Sequence, residues 1–320
     1  MQILLLLALL MLPFSAHSET RAAFVVGNSA YTNAPQLSNP VRDAQLIGDT
    51  LTGLGFDVTR HSDLTRDSFA DALSAFLRKT RDADLAFFYF AGHGMQYDGE
   101  NYLIGTNAEL RTELDIESEA IALNKVIELL ERNAKAVLVF IDACRDNPLA
   151  TDFYRRNFSE TRALQTRGLA RVRSRGDGSM LVFAAAPGQV AYDGEGSNSP
   201  FASALARHLP TENVEVLSLT KRIIGEVRNK TGGRQSPIVT NDLTQEVFLR
   251  EVALRPETTI VSDGVEREQS VFDAADQLGT LHAWALYFER YPRGRLSALA
   301  LQKEHEVLLR EVSYLEAGWG

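Results

Sequence analysis

Cysteine occurs once in the 320 residues, at Cys144. An intramolecular disulfide is therefore excluded, and a zinc cluster of Cys and His has no ligands to build on, because no histidines are paired at ligand spacing. A lone thiol is either a small buried hydrophobe or a residue kept for its reactivity. Long apolar runs are scarce too: after Leu12 none approaches the roughly 20 residues of a membrane-crossing helix. Basic charge is in deficit, with 33 Lys and Arg against 42 Asp and Glu and a net charge of −9. Non-specific phosphate binding needs the opposite balance, so nucleic acid is not an expected partner. No D-x-[DN]-x-[DN]-G stretch marks a calcium loop. Calcium could come only from scattered acids that form no motif, and no metal or cofactor is expected.

The chain opens with an apolar run, Ile3 to Leu12, followed by Pro13 and small residues ending Ala16-His17-Ser18. That run is half the length of a spanning helix and ends as a secretory cleavage site does, so residues 1–18 are expected to be an export signal. The absence of Lys and Arg before the run leaves a retained anchor or a buried terminus as alternatives. Once the signal is removed no membrane association is expected, and the protein belongs in the periplasm or outside the cell.

From residue 21 onward, strands alternate with helices. "RAAFVVG", "FDVTRH", "LAFFYFAG", "KAVLVFIDAC" and "SMLVFAAAP" read as strands, with a short strand or hairpin at "DGENYLIGTNA" and a last strand at "EVFLR". The first helix carries Val41, Ala44, Ile47, Leu51 and Leu54 on one face; the second starts at the capping Thr65 and buries Phe69, Leu73, Phe76 and Leu77. A third spans "ESEAIALNKVIELLERN", and two more lie near 198–209 and 214–230. Continuous apolar strands between helices mean a mainly parallel α/β sheet of about six strands, covered on both faces. Ligand sites in such sheets lie at the carboxyl ends of the strands. Gly92-His93-Gly94 and Asp142-Ala143-Cys144 both fall there, just past the third and fourth strands.

Two stretches break the alternation. Residues 151–176 carry seven Arg and two acids, a net of +5, and read as a long connection within an Arg-rich loop at 151–178. From 251 a linker reaches 266, and residues 267–320 form two or three amphipathic helices broken at Tyr291-Pro292-Arg293-Gly294. That tail is similar to one helical hairpin of the tetratricopeptide type and is a possible site for a protein partner. Its Trp284, Tyr287 and Phe288 are expected to be its own core.

A histidine about fifty residues before a lone cysteine, each at a strand end, makes a thiol and base pair. Cys144 supplies the nucleophile and His93 the group that takes its proton. Glycines beside His93 let backbone approach a substrate, so the Gly94 and Cys144 N–H groups can face an oxyanion.

"FYFAGHGMQ" and "VLVFIDACRDNP" resemble the His and Cys motifs of the caspase-like cysteine peptidases, and "MLVFAAAPGQVAYDGEGSNSPFASAL" resembles the small-subunit segment of bacterial members. The resemblance covers about 21–250, within a peptidase domain placed at 19–250, and implies a caspase-hemoglobinase fold. It implies that His93 is the base, Cys144 the nucleophile, and peptides or proteins the substrates. "LSNPVRDAQL" is similar to the metacaspase and paracaspase pattern with an acid at Asp43; Asp142 lies two residues before the nucleophile, and Asp193 falls where paracaspases add an acid. Carboxylates gathered in one pocket repel unless a cation joins them, and guanidinium pairs with them in two-pronged fashion. Cleavage after Arg, then Lys, is the expectation. In this family the segment between the two halves is often self-cut, which makes Arg167, Arg171, Arg173 and Arg175 candidate targets.

Plainer readings stand beside these. Asp43 is also a normal solvated helix residue, Asp193 a normal turn acid, and an Arg run a normal solvated loop. A caspase fold without catalysis, recruiting a partner through the tail, is the alternative of a different class; legumain-like and gingipain-like peptidases share the His-Gly and Cys arrangement.

Overall fold

The computed structural model describes residues 19–144, 148–158, 178–186, 189, 191–192, 194, 196–252 and 264–317. The signal segment, Asp193, most of the linker, and Arg167, Arg171, Arg173 and Arg175 lie outside the described residues. By internal contacts the chain divides into one unit at Met1–Val252 and a second at Ala253–Gly320.

The first unit is built on a sheet with the order β2-β1-β3-β6-β7-β8. Its strands are β1 (Arg21–Gly27), β2 (Asp57–Ser62), β3 (Ala83–Tyr97), β6 (Ala134–Cys144), β7 (Ser179–Phe183) and β8 (Ile238–Asn241). All neighbours run parallel except β8, which pairs antiparallel with β7. Two short strands, β4 (Glu100–Ile104) and β5 (Ala120–Ala122), extend the end of β3 as an antiparallel flap. The fold is thus the expected α/β arrangement, mostly parallel with helices on both faces.

Successive strand side chains point to opposite faces, and the central strands are apolar on both. On one face Val25, Phe87, Tyr89, Phe140 and Val182 pack against α1 (Pro40–Gly53), α6 (Pro200–His208) and α7 (Val216–Lys230). Phe87 and Phe140 stack there with ring centroids 4.9 Å apart. On the other, Phe24, Phe88, Phe90, Val139 and Ile141 meet α2 (Arg66–Lys79) and α4 (Leu123–Glu131). Thr65 begins α2 with a reciprocal cap: Ser68 N–H donates to its hydroxyl, and Thr65 N–H donates to the Ser68 hydroxyl.

Four sequence expectations change. β3 does not stop before His93; it runs on to Tyr97 by exchanging its parallel partner β6 for the antiparallel β4. The long third helix is broken into α3 (Glu113–Glu119), the three residues of β5, and α4, because Ala120–Ala122 pair with β4. The start of the Arg-rich connection is helical, as α5 (Pro148–Asn157), since Leu149 and Phe153 lie one turn apart and pack into the Tyr31 and Met95 cluster. The last strand is Ile238–Asn241 rather than "EVFLR", which buries Val247 and Leu249 but makes only an isolated bridge from Phe248 to Glu215.

The second unit holds three helices, α8 (Gly264–Leu278), α9 (Leu281–Arg290) and α10 (Ser297–Ala317). Phe272, Trp284 and Tyr287 form its buried centre. Glu268, also buried, accepts from the Tyr287 hydroxyl at 2.8 Å and from Leu296 N–H at 2.7 Å. Gly294 is required beside it, because a Cβ there would stand 2.3 Å from the Glu268 carboxylate. Among the described residues no helix is long and apolar enough to cross a membrane.

Candidate active site

His93 and Cys144 are register partners on the adjacent parallel strands β3 and β6. They are the last residues at which these two strands pair, so both lie at the carboxyl edge of the sheet. β1 and β3 flank the point where the strand order reverses, since the chain leaves β1 for β2 on one side and returns to β3 on the other. Open α/β sheets bind ligands at such a reversal.

His93 is only 4% exposed, in contrast to the open placement that its flanking glycines suggest. The loop between β1 and α1 covers it. The Tyr31 ring lies 4.4 Å from the imidazole, centroid to centroid, tilted by 52°. The Pro35 carbonyl stands 2.9 Å from Nε2. A carbonyl can only accept, so this contact places a hydrogen on Nε2 and leaves Nδ1 of the neutral ring as the basic nitrogen. Gly92 is needed for a packing reason: a Cβ on it would stand 2.6 Å from the Tyr31 hydroxyl oxygen and 2.9 Å from the Phe90 ring.

Asp43, on the first turn of α1, and Asp142, two residues before Cys144, are 2% and 8% exposed. Both converge on Ser199, the N-cap of α6. Asp43 accepts from Ser199 N–H at 3.0 Å and from the Asn198 amide at 2.8 Å. Asp142 accepts from the Ser199 hydroxyl at 2.5 Å and from the Tyr89 hydroxyl at 3.3 Å. Burial, with both carboxylates near, raises the Tyr89 phenol well above its ordinary value, so it stays protonated as a donor. The same serine oxygen caps α6 through Ala202 N–H. The structure thus brings His93 together with Cys144, and Asp43 together with Asp142.

Residues that sequence patterns did not single out complete the surroundings. Tyr31, Pro35, Ser199 and Tyr89 touch the named groups, and Gln235 holds the wall after β7: its fully buried amide donates to the Ala184 carbonyl at 2.9 Å and accepts from Tyr192 N–H at 3.2 Å. The Arg234 guanidinium lies over the Tyr192 ring at 5.0 Å. Only Ser199 carried a readable signal, as a serine before Pro-Phe at a helix start. Among the described residues no group of His, Cys, Asp and Glu is arranged to hold a metal ion.

His93 and Cys144 are thus paired in backbone register across two central parallel strands, at the carboxyl edge of the sheet. Residues 20–248 match the family model of the caspase domain of C14 peptidases, and the chain belongs to that family. It is similar to the mucosa-associated lymphoid tissue lymphoma translocation protein 1 of human and to its mouse homologue, each 25% identical over 131 residues, which are 40% of this chain. The chain matches only 15% of the length of those relatives. Among solved structures, a protein of Geobacter sulfurreducens superposes with a TM-score of 0.51 at 20% identity, over 72% of this chain and 97% of its own. At that identity the likeness concerns the fold alone.

Proposed function

We propose that the chain is a cysteine endopeptidase that cleaves peptide bonds after Arg, and less readily after Lys, by means of Cys144 and His93. The observation that carries this reading is the register of β3 and β6, which sets His93 beside Cys144 at the carboxyl edge of the sheet. The Cys144 thiolate attacks the scissile carbonyl, and His93, with Nε2 occupied by the Pro35 carbonyl, accepts the thiol proton and returns it to the leaving amine. The Gly94 and Cys144 N–H groups are the proposed oxyanion donors. The chemistry uses side chains and backbone only, with no cofactor.

The arginine preference rests on Asp43 and Asp142, two buried acids that meet at one serine near the nucleophile. A guanidinium presents several donors in a fixed plane and suits a pair of carboxylates better than a single ammonium. Asp193 is proposed as a third acid of the same pocket. Self-cleavage after Arg167, Arg171, Arg173 or Arg175 follows from the same preference. The apolar run Ile3–Leu12 supports export to the periplasm or beyond the cell, and the helical unit after residue 252 is a proposed docking element for a protein partner.

The test is hydrolysis of matched fluorogenic peptides ending in Arg, Lys or Asp, with and without calcium, beside Cys144→Ala. Turnover after Arg that disappears in Cys144→Ala is the expected result. Turnover after Asp would refute the acidic pocket, and equal turnover by Cys144→Ala would refute the nucleophile.

A further inference from the structure

The hydroxyl of Tyr31 sits at the position where β3 changes partners. His93 N–H donates to it at 2.7 Å, and it donates in turn to the Ile104 carbonyl at 3.3 Å, on β4. His93 is the last β3 residue paired with β6, and Gly94 the first paired with β4. The phenol therefore bridges β3 and β4 at the point where β3 exchanges one partner for the other. Its ring lies against the imidazole, and the loop that carries it also brings the Pro35 carbonyl to Nε2. Tyr31 itself is 3% exposed, and the glycine before His93 leaves the space that its oxygen fills.

A base must stand within hydrogen-bond reach of the proton it takes, and a backbone hydrogen bond at the base residue itself fixes the root from which the ring swings. The aromatic ring limits the remaining rotation and keeps water from one face of the imidazole. Burial raises the phenol above its ordinary value, so it serves as donor and acceptor together across the range in which thiols and imidazoles titrate.

We infer that Tyr31 is a positioning residue for His93, holding main chain and ring so that the imidazole meets the Cys144 thiol, and that this role is separable from any role in substrate binding. The inference rests on the Cys144 and His93 reading of the site. It deepens that reading by adding a residue that acts through His93.

Because Cys144 is the only thiol, the pH profile of its alkylation by iodoacetamide reports the thiol and imidazole pair without any turnover. Wild type, Tyr31→Phe and His93→Ala are compared as full-length proteins, with kcat and KM on an Arg peptide and thermal unfolding measured alongside. The expected result for Tyr31→Phe is an alkylation profile moved toward that of His93→Ala. Its kcat falls by about tenfold to a hundredfold, as for small misplacements of reacting groups, with KM within about twofold. Gly92→Ala, whose methyl would meet the Tyr31 hydroxyl and also the Phe90 ring, is expected to give the same signature where its thermal unfolding matches wild type. A Tyr31→Phe profile superimposed on wild type, with His93→Ala distinct, would overturn the inference while leaving the dyad intact. Superposition of wild type on His93→Ala would overturn both.

Discussion

Ser199 and Asp142 share a short hydrogen bond of 2.5 Å, while the N–H of the same serine reaches Asp43. One residue at the start of α6 therefore orients two acids from separate elements, and its hydroxyl also caps the helix. Ser199→Ala removes the cap and one donor to Asp142 but keeps the N–H bond to Asp43. A stability loss of about 1–2 kcal/mol is expected from a lost N-cap and buried hydrogen bond, read as a lower denaturant midpoint at unchanged slope. An unchanged midpoint would mean that water replaces the hydroxyl without cost.

Asp43→Asn and Asp142→Asn keep an acceptor for Ser199 and remove only charge. If the two acids receive the substrate cation, kcat/KM on Arg peptides falls by about tenfold to a hundredfold in each, the range of a charge-assisted hydrogen bond. Reactivity of Cys144 toward iodoacetamide stays near wild type in Asp43→Asn. Retention of full Arg turnover by both variants would assign these acids a purely structural role beneath α6.

The position of the candidate site was legible because its residues stand at the ends of unusually clear strands: "LAFFYF" before Gly-His-Gly and "VLVFI" before Asp-Ala-Cys. The supports were not, because each depends on sequence-distant contacts. Nothing local to Tyr31 indicates that its hydroxyl receives a main-chain N–H from residue 93. β8 was missed for a related reason. Ile238–Asn241 is a four-residue edge strand with an exposed burial pattern and no alternation to read, whereas Val247 and Leu249 alternate yet sit in a segment with a single bridge. β5 lies inside a helical periodicity that pairing with β4 overrides.

Glu268 gives the helical unit an acid sensitivity of known sign. Leu296 N–H, the largest influence, and the Tyr287 hydroxyl hold its carboxyl below the ordinary 4.5, against the opposing effect of burial. The unfolded chain thus binds the proton more readily than the folded unit. The contribution to stability is complete above the unfolded value and is lost as pH falls through the depressed one. Both tryptophans, Trp284 and Trp319, lie in this part of the sequence, so fluorescence of Trp284 in a Trp319→Phe background follows its unfolding. Glu268→Gln is expected to be less stable at neutral pH and to show a shallower loss of stability in acid than wild type. Parallel acid profiles for the two proteins would show that the sensitivity lies elsewhere.

Self-cleavage tests the specificity and the nucleophile in one reaction. α5 ends at Asn157 and β7 begins at Ser179, and the four candidate arginines fall between them. Both elements are anchored on the same unit: α5 through Phe153 and the Tyr154 hydroxyl on the Gln96 carbonyl, β7 through its ladders with β6 and β8. A cut between them therefore leaves two fragments that remain associated. On incubation, the wild-type protein is expected to run as one species under native conditions and as two under denaturing ones. The new amino termini would begin at Gly168, Val172, Ser174 or Gly176. Cys144→Ala stays whole alone and is cut at the same bonds when wild type is added. Nicking of Cys144→Ala at those bonds without added enzyme would assign the cleavage to another protease. Cuts confined to other residues would rule out arginine as the preferred one.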